Sequence, residues 1–131
     1  MSLDQSEMKL LEKSLDHQYV ALLEQVREEL TQNGDGEYVE LLGRGGADVG
    51  EEAVRDLLWG LNAALFDRHI RELNDIEVAR THIREGDYGL CADCGEDIGL
   101  GRLKARPTAV RCIHCQREHE RTHAYEATPS M

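Results

Sequence analysis

The sequence predicts a mainly α protein: a long antiparallel two-helix coiled-coil hairpin, followed by a four-cysteine zinc finger and a short C-terminal helix. Three observations carry this. Two long segments repeat apolar residues every three or four positions. A glycine-rich stretch separates them. All four cysteines then fall within 25 residues of each other, as two CxxC pairs. The chain has 131 residues and is poor in aromatics, with one Trp, one Phe and four Tyr, so a large spherical core is not expected. Residues 1–86 are read as the hairpin and 87–131 as the finger with its helix.

The first helix is expected over about residues 4–32. Asp4 and Glu7, three apart, have the spacing of a capping box. Met8, Leu11, Leu15, Tyr19, Leu22, Val26 and Leu30 form one apolar stripe, opposite a charged face that includes Lys9, Glu12, Lys13 and Glu28. Asn33-Gly34 is a C-terminal stop signal. Residues 33–50, NGDGEYVELLGRGGADVG, hold six glycines and disfavour continuous helix. Their NGDG is not a calcium loop. An EF-hand frame would place Thr31 and Leu42 at the first and last ligand positions, where carboxylates are needed.

A second helix is expected over about 51–85. Val54, Leu58, Leu61, Leu65, Leu73, Ile76 and Ile83 form its stripe, widened by Trp59, Phe66 and Ile70. Asn62 and His69 lie at the margin, where hydrogen bonds across the seam are expected. As straight rods the two helices would be about 43 Å and 50 Å long. Such a pair buries little per residue and needs a clamp at its open end. At the tip, Asp48 and Glu51 admit two readings. They are an N-cap and its N3 partner, favoured by the helix dipole. They also stand where a long thin hairpin would be inserted into something.

Cys91-x-x-Cys94 and Cys112-x-x-Cys115, with 17 residues between the pairs, have the ligand spacing of a structural four-thiolate zinc site holding one Zn2+. Four thiolates leave His114 unneeded as a ligand, and no cysteine is left over. His119 and His123 are four apart but lack a third ligand in register. No signal-like apolar start is present and no stretch approaches a membrane span. A cytoplasmic setting, where thiols stay reduced, is therefore expected. The net charge is −11. Residues 1–98 hold 9 basic and 23 acidic side chains, against 6 and 3 in residues 99–131. An acidic body argues against duplex DNA as a direct partner. No catalytic triad, phosphate loop or open metal site is present, so an enzyme is not expected.

The segment DYGLCADCGEDIGLGRLKARPTAVRCIHCQRE resembles the zinc finger of the DksA/TraR family, through its YGxCxxCG start, Ile98, RLxARP and CIxC. Counting back from Cys91, DVGEEA falls where long-hairpin members carry an acidic DxxDxA tip. Asp48 and Ala53 match it, and Glu51 replaces the second Asp. The resemblance implies a regulator that binds bacterial RNA polymerase, enters its secondary channel and modulates promoter complexes, often together with the stringent-response alarmone ppGpp. The alternatives from other classes are a zinc-finger nucleic-acid binder and a coiled-coil adaptor. At the family's alarmone positions Arg106 is retained, but Asp75 and Gln116 stand in place of lysines. A weak or absent ppGpp response is expected from that loss of positive charge. Arg68 is placed either at the polymerase rim or on a solvated helix face.

Overall fold

A computed structural model describes residues 3–42 and 50–127, with side chains to residue 122. The described residues are mainly helical. Helix α1 spans Gln5–Gln32, a short 3₁₀ segment covers Gly36–Leu42, and α2 spans Glu51–Glu85. Two helices follow in the C-terminal part, α3 over Leu100–Ala105 and α4 over Ile113–Ala127. No described helix is long and apolar enough to cross a membrane.

Helix α1 starts on a complete capping box. Asp4 Oδ1 accepts from the Glu7 N–H at 2.8 Å, and Glu7 Oε1 accepts from the Asp4 N–H at 3.1 Å. Its buried residues are Leu11, Leu15, Tyr19, Leu22, Leu23, Val26 and Leu30. Leu22 and Leu23 are adjacent, point to different sides, and are both covered. Helix α1 packs against the 3₁₀ segment and α3 as well as α2.

Helix α2 is itself broken. Asn62 has φ −170° and ψ 95°, which is extended backbone inside the helical run. Its side chain accepts from the Leu65 N–H at 3.1 Å, the geometry of an N-cap that restarts the helix. Residues 51–61 therefore fold back beside residues 63–85. The Arg55 guanidinium contacts Glu77 and donates to Asn74 Oδ1. Arg80 Nε lies 3.2 Å from Glu51 Oε1. In one straight helix these last two residues would lie about 43 Å apart. The expectation of a continuous 50 Å rod is corrected accordingly. Asn62 makes its hydrogen bond along its own chain, as a cap, and not across a seam.

Two apolar clusters result. The upper one joins Tyr19, Leu22, Leu23, Val26 and Leu30 of α1 and Leu42 of the 3₁₀ segment to both halves of α2. Val54 and Leu58 come from the folded-back half; Phe66, Ile70, Leu73 and Ile76 come from the other. Leu65 and Trp59 are exposed, because the turn at Asn62 takes them off the shared face. The lower cluster joins Leu11, Leu15 and Ala79 to Tyr88, Cys91, Ile98 and Leu103, and so fixes the finger to the hairpin's base.

Burial is the first cause that pushes two phenols up to about 12: Tyr19, where Glu51 adds to it and Arg80 opposes, and Tyr88. A raised pKa means that the folded state favours the neutral ring. That contribution is complete below pH 10 and is lost as pH rises through 12. Alkaline absorbance titration should thus show two tyrosines ionising about two units late, together with loss of helical circular dichroism. Ionisation of every tyrosine near pH 10 in a still-helical protein would contradict this packing.

Candidate metal centre and acidic arm

The finger begins where α2 ends. Gly86 caps the helix in the left-handed region at φ 87°, a conformation that costs glycine little. The chain then pairs Leu90 with Asp97 in an isolated antiparallel bridge, and Cys91 N donates to Glu96 O at 2.8 Å. Gly95, at φ 79°, closes this first knuckle. The second knuckle runs into the start of α4, where Gln116 N donates to Cys112 O. Ala92 N donates to Val110 O at 2.8 Å and joins the two.

This places the four Sγ atoms of Cys91, Cys94, Cys112 and Cys115 within 4.8 Å of one another. Cys94 and Cys112 Sγ are 3.9 Å apart. A tetrahedron with Zn–S bonds near 2.3 Å has sulfur–sulfur edges of about 3.8 Å, so the cage has the size that zinc requires. Backbone N–H groups point at the sulfurs: Asp93 and Cys94 toward Cys91, at 3.4 and 3.5 Å, and Cys115 toward Cys112 at 3.4 Å. Burial opposes ionisation of Cys91, yet these amides outweigh it and bring its thiol down to about 6. Cys115 is pushed up, first by burial and then by its sulfur neighbours. Four thiolates this close need a cation among them. The site is a structural four-cysteine zinc centre holding one ion.

Two arginines of the basic stretch serve the finger itself. Arg102 Nε donates to Arg111 O at 2.9 Å, and Arg111 Nε donates to Asp93 Oδ2 at 2.9 Å. Tyr88 Oη donates to Pro107 O at 2.7 Å, holding the ARP turn against the hairpin's base. Arg106 remains exposed.

Comparison with known proteins agrees with this site. The model of the prokaryotic dksA/traR C4-type zinc finger matches residues 86–121. Residues 86–121 thus form a zinc finger of the dksA/traR C4 type. It is 37% identical over 75 residues to the RNA polymerase-binding transcription factor DksA of Caulobacter vibrioides, covering 57% of this chain and 53% of that one. Against the protein of the same name from Escherichia coli K12 it is 35% identical over 69 residues, 53% of this chain and 46% of that one. The matched segment thus spans about half the length of these curated relatives. In fold it is similar to the transcription factor DksA2 of Pseudomonas aeruginosa, with a TM-score of 0.51 and 29% identity, over 93% of this chain and 89% of that one.

The other residues singled out from sequence are placed differently. Asp48 lies outside the described residues. Helix α2 begins at Glu51 with Gly50 as its N-cap and no side-chain cap. Glu51 is therefore the first residue of the helix and not an N3 partner for Asp48. It is also not at the distal turn. Its side chain is 11% exposed and faces Arg80, which also bonds Asp16 at 3.0 Å and lies 5.5 Å above the Tyr19 ring. Ala53 is exposed nearby. Arg80 escaped the sequence reading because its partners are 29 and 64 positions away. His69 does bond across the seam, with Nε2 2.9 Å from Glu29 Oε2.

Arg68 and Arg106 line one open cleft of about 650 Å³ between α2 and the ARP turn, together with Arg71, Glu72 and Asp75. Gln116 is not part of it. Burial raises the Asp75 carboxyl above its ordinary range, and Arg106 opposes that rise. His119 is half-buried on α4, and the side chain of His123 lies outside the described residues.

Metal analysis should find one zinc per chain, and Cys91→Ser should lose it. Zinc in such modules contributes on the order of 10 kcal/mol to folding. Chelation should therefore abolish the cooperative melting of residues 86–121. Because the ligands bind as thiolates, affinity should fall as pH is lowered. A chain that keeps its finger amides protected from hydrogen exchange after chelation would refute a structural zinc.

Proposed function

We propose that this protein is a regulator that binds bacterial RNA polymerase, and that it acts by presenting an acidic helical arm within the enzyme's secondary channel. The observation that carries the reading is the finger: a complete pair of CxxC knuckles with its RLxARP turn, locked to the base of a helical arm. Both curated relatives compared with it are named for binding RNA polymerase. The arm's strong negative charge supports a partner surface of opposite sign and disfavours direct binding to DNA. The role is regulatory and not catalytic. Four thiolates fill the zinc coordination sphere and leave no position for water or substrate. The setting is the cytoplasm, where polymerase works and thiols remain free.

Asp48, Glu51 and Ala53 are the residues assigned to the arm's working end. Arg68 and Arg106 are assigned to the polymerase rim or to the nucleotide cleft. That cleft gathers three arginines, but Glu72 and Asp75 stand among them. Two carboxylates beside three guanidinium groups leave little net charge for a polyanion. We assign a weak or absent ppGpp response on this ground.

Competition against another secondary-channel protein for purified polymerase tests the main reading. The expected result is mutual exclusion; simultaneous binding of both proteins would reject it. Asp48→Asn should leave zinc content and melting unchanged while weakening promoter regulation by at least about tenfold, equivalent to roughly 1.4 kcal/mol. For the cleft, transcription assays should show little ppGpp synergy with the native chain. Asp75→Lys should gain several-fold, and full synergy in the native chain would remove the charge argument.

A further inference from the structure

Of the two acidic residues assigned to the arm's working end, Glu51 is not displayed by the structure; it is put away. Glu51 is almost fully buried, and Arg80 reads it from the opposite half of the same helix. Arg80 also holds Asp16 of α1 and stacks over Tyr19. One guanidinium thus ties together α1 and both halves of α2. A second fastening lies further along, where Arg55 contacts Glu77 and Asn74. Val54 and Leu58 add two fully buried apolar side chains.

The turn that permits this is a single residue. Only Asn62 departs from helical geometry within Glu51–Glu85. Gly60 precedes it, and a Cβ at Gly60 would meet nothing within 4 Å. That glycine is not demanded by packing; it lowers the local helix propensity instead. Rotation of Asn62 into the helical region would join residues 51–61 to 63–85. That would carry Glu51 about 16 Å beyond the turn on the far side.

We infer that residues 51–61 are a folded-back arm that hinges at Asn62, with Arg80 as the latch that keeps Glu51 masked until the arm opens. Its use rests on the polymerase reading above. The latch itself is a property of this chain alone. Opening requires a partner that offers Glu51 a basic group in place of Arg80, because a ligand shifts such an equilibrium only by its differential affinity.

The test measures a distance in the full-length, zinc-loaded protein. Non-cysteine spin labels at the exposed positions Glu52 and Arg84 spare the finger. A continuous helix would hold these backbones about 48 Å apart. The native chain should give well under half of that. Arg80→Gln and, separately, Asn62→Ala should each move a large fraction of the population to the long distance, with zinc content unchanged. A long distance in the native chain, or a short one retained in both variants, overturns the latch. Adding polymerase to the native chain should lengthen the distance. If the variants open but no form of the chain binds polymerase, the latch stands and the polymerase reading fails. If the native chain binds and regulates with its short distance intact, the polymerase reading stands and the latch is refuted.

Discussion

Four sulfur atoms held within 4.8 Å of one another are stable as thiolates only around a cation, and that cage determines how the helical arm is rooted. Cys91 is a zinc ligand and also a buried member of the lower apolar cluster, beside Leu11, Leu15 and Ala79. Assembling the knuckles therefore assembles the surface on which α1 and α2 meet. The fit extends to the chain's beginning. Leu3 closes over Gly89, where an added Cβ would come within 3.3 Å of Leu3 Cδ1 and where φ is +93°. A side chain there would be opposed by both the backbone and the packing. Without the metal, the knuckle loops have only short hydrogen-bonded turns to order them. The hairpin would then end on uncovered leucines.

The arrangement of α2 is a competition between helix continuity and burial. A continuous helix would save the backbone hydrogen bonds lost at Asn62, each worth about 1 kcal/mol net. Folding back removes Val54 and Leu58 from water at about 1.5–3 kcal/mol each. It also brings both halves of α2 into the cluster that holds Leu22 and Leu23. Asn62 reduces the cost of the break by satisfying the Leu65 N–H itself. The ion pairs add less to stability than to register. Arg80 is 31% exposed, and pairs of that kind contribute little in water. What Arg80 does is specify which residue lies opposite. A Glu51 side chain buried without a positive partner would be strongly disfavoured.

The difference in range explains what could be read from the chain. The helix stripe of α1 and its capping box are local patterns, and the CxxC pairs with their connecting RLxARP carry their geometry in their spacing. These were legible. The start of α2 was not, because Gly50 takes the N-cap position and puts Glu51 first in the helix. The break was legible in part. In the register 54, 58, 62, 66 an apolar stripe asks for a hydrophobe at position 62, and the chain supplies Asn two residues after Gly60. That signal is weak against a run of good helix formers on both sides. The pairing of Arg80 with Glu51 had no sequence signal at all. It depends on the direction taken after Asn62, which only the packing against α1 decides.

The charge of the arm connects these points. With 19 acidic against 9 basic side chains in residues 1–86, a helical body of this composition repels itself. Each arginine within it is therefore in demand. Arg80 serves two carboxylates and a ring, and Arg55 and Arg27 are likewise engaged within the arm. Opening the arm does not require the Glu51 charge to pass through an unpaired state if another basic group takes over as Arg80 lets go. The exchange replaces one guanidinium contact with another of the same kind. What then separates the two states is chiefly the apolar contact of Val54 and Leu58. That term is small enough for a second protein surface to replace; without one, it and the Arg80 contact with Glu51 together keep the arm closed.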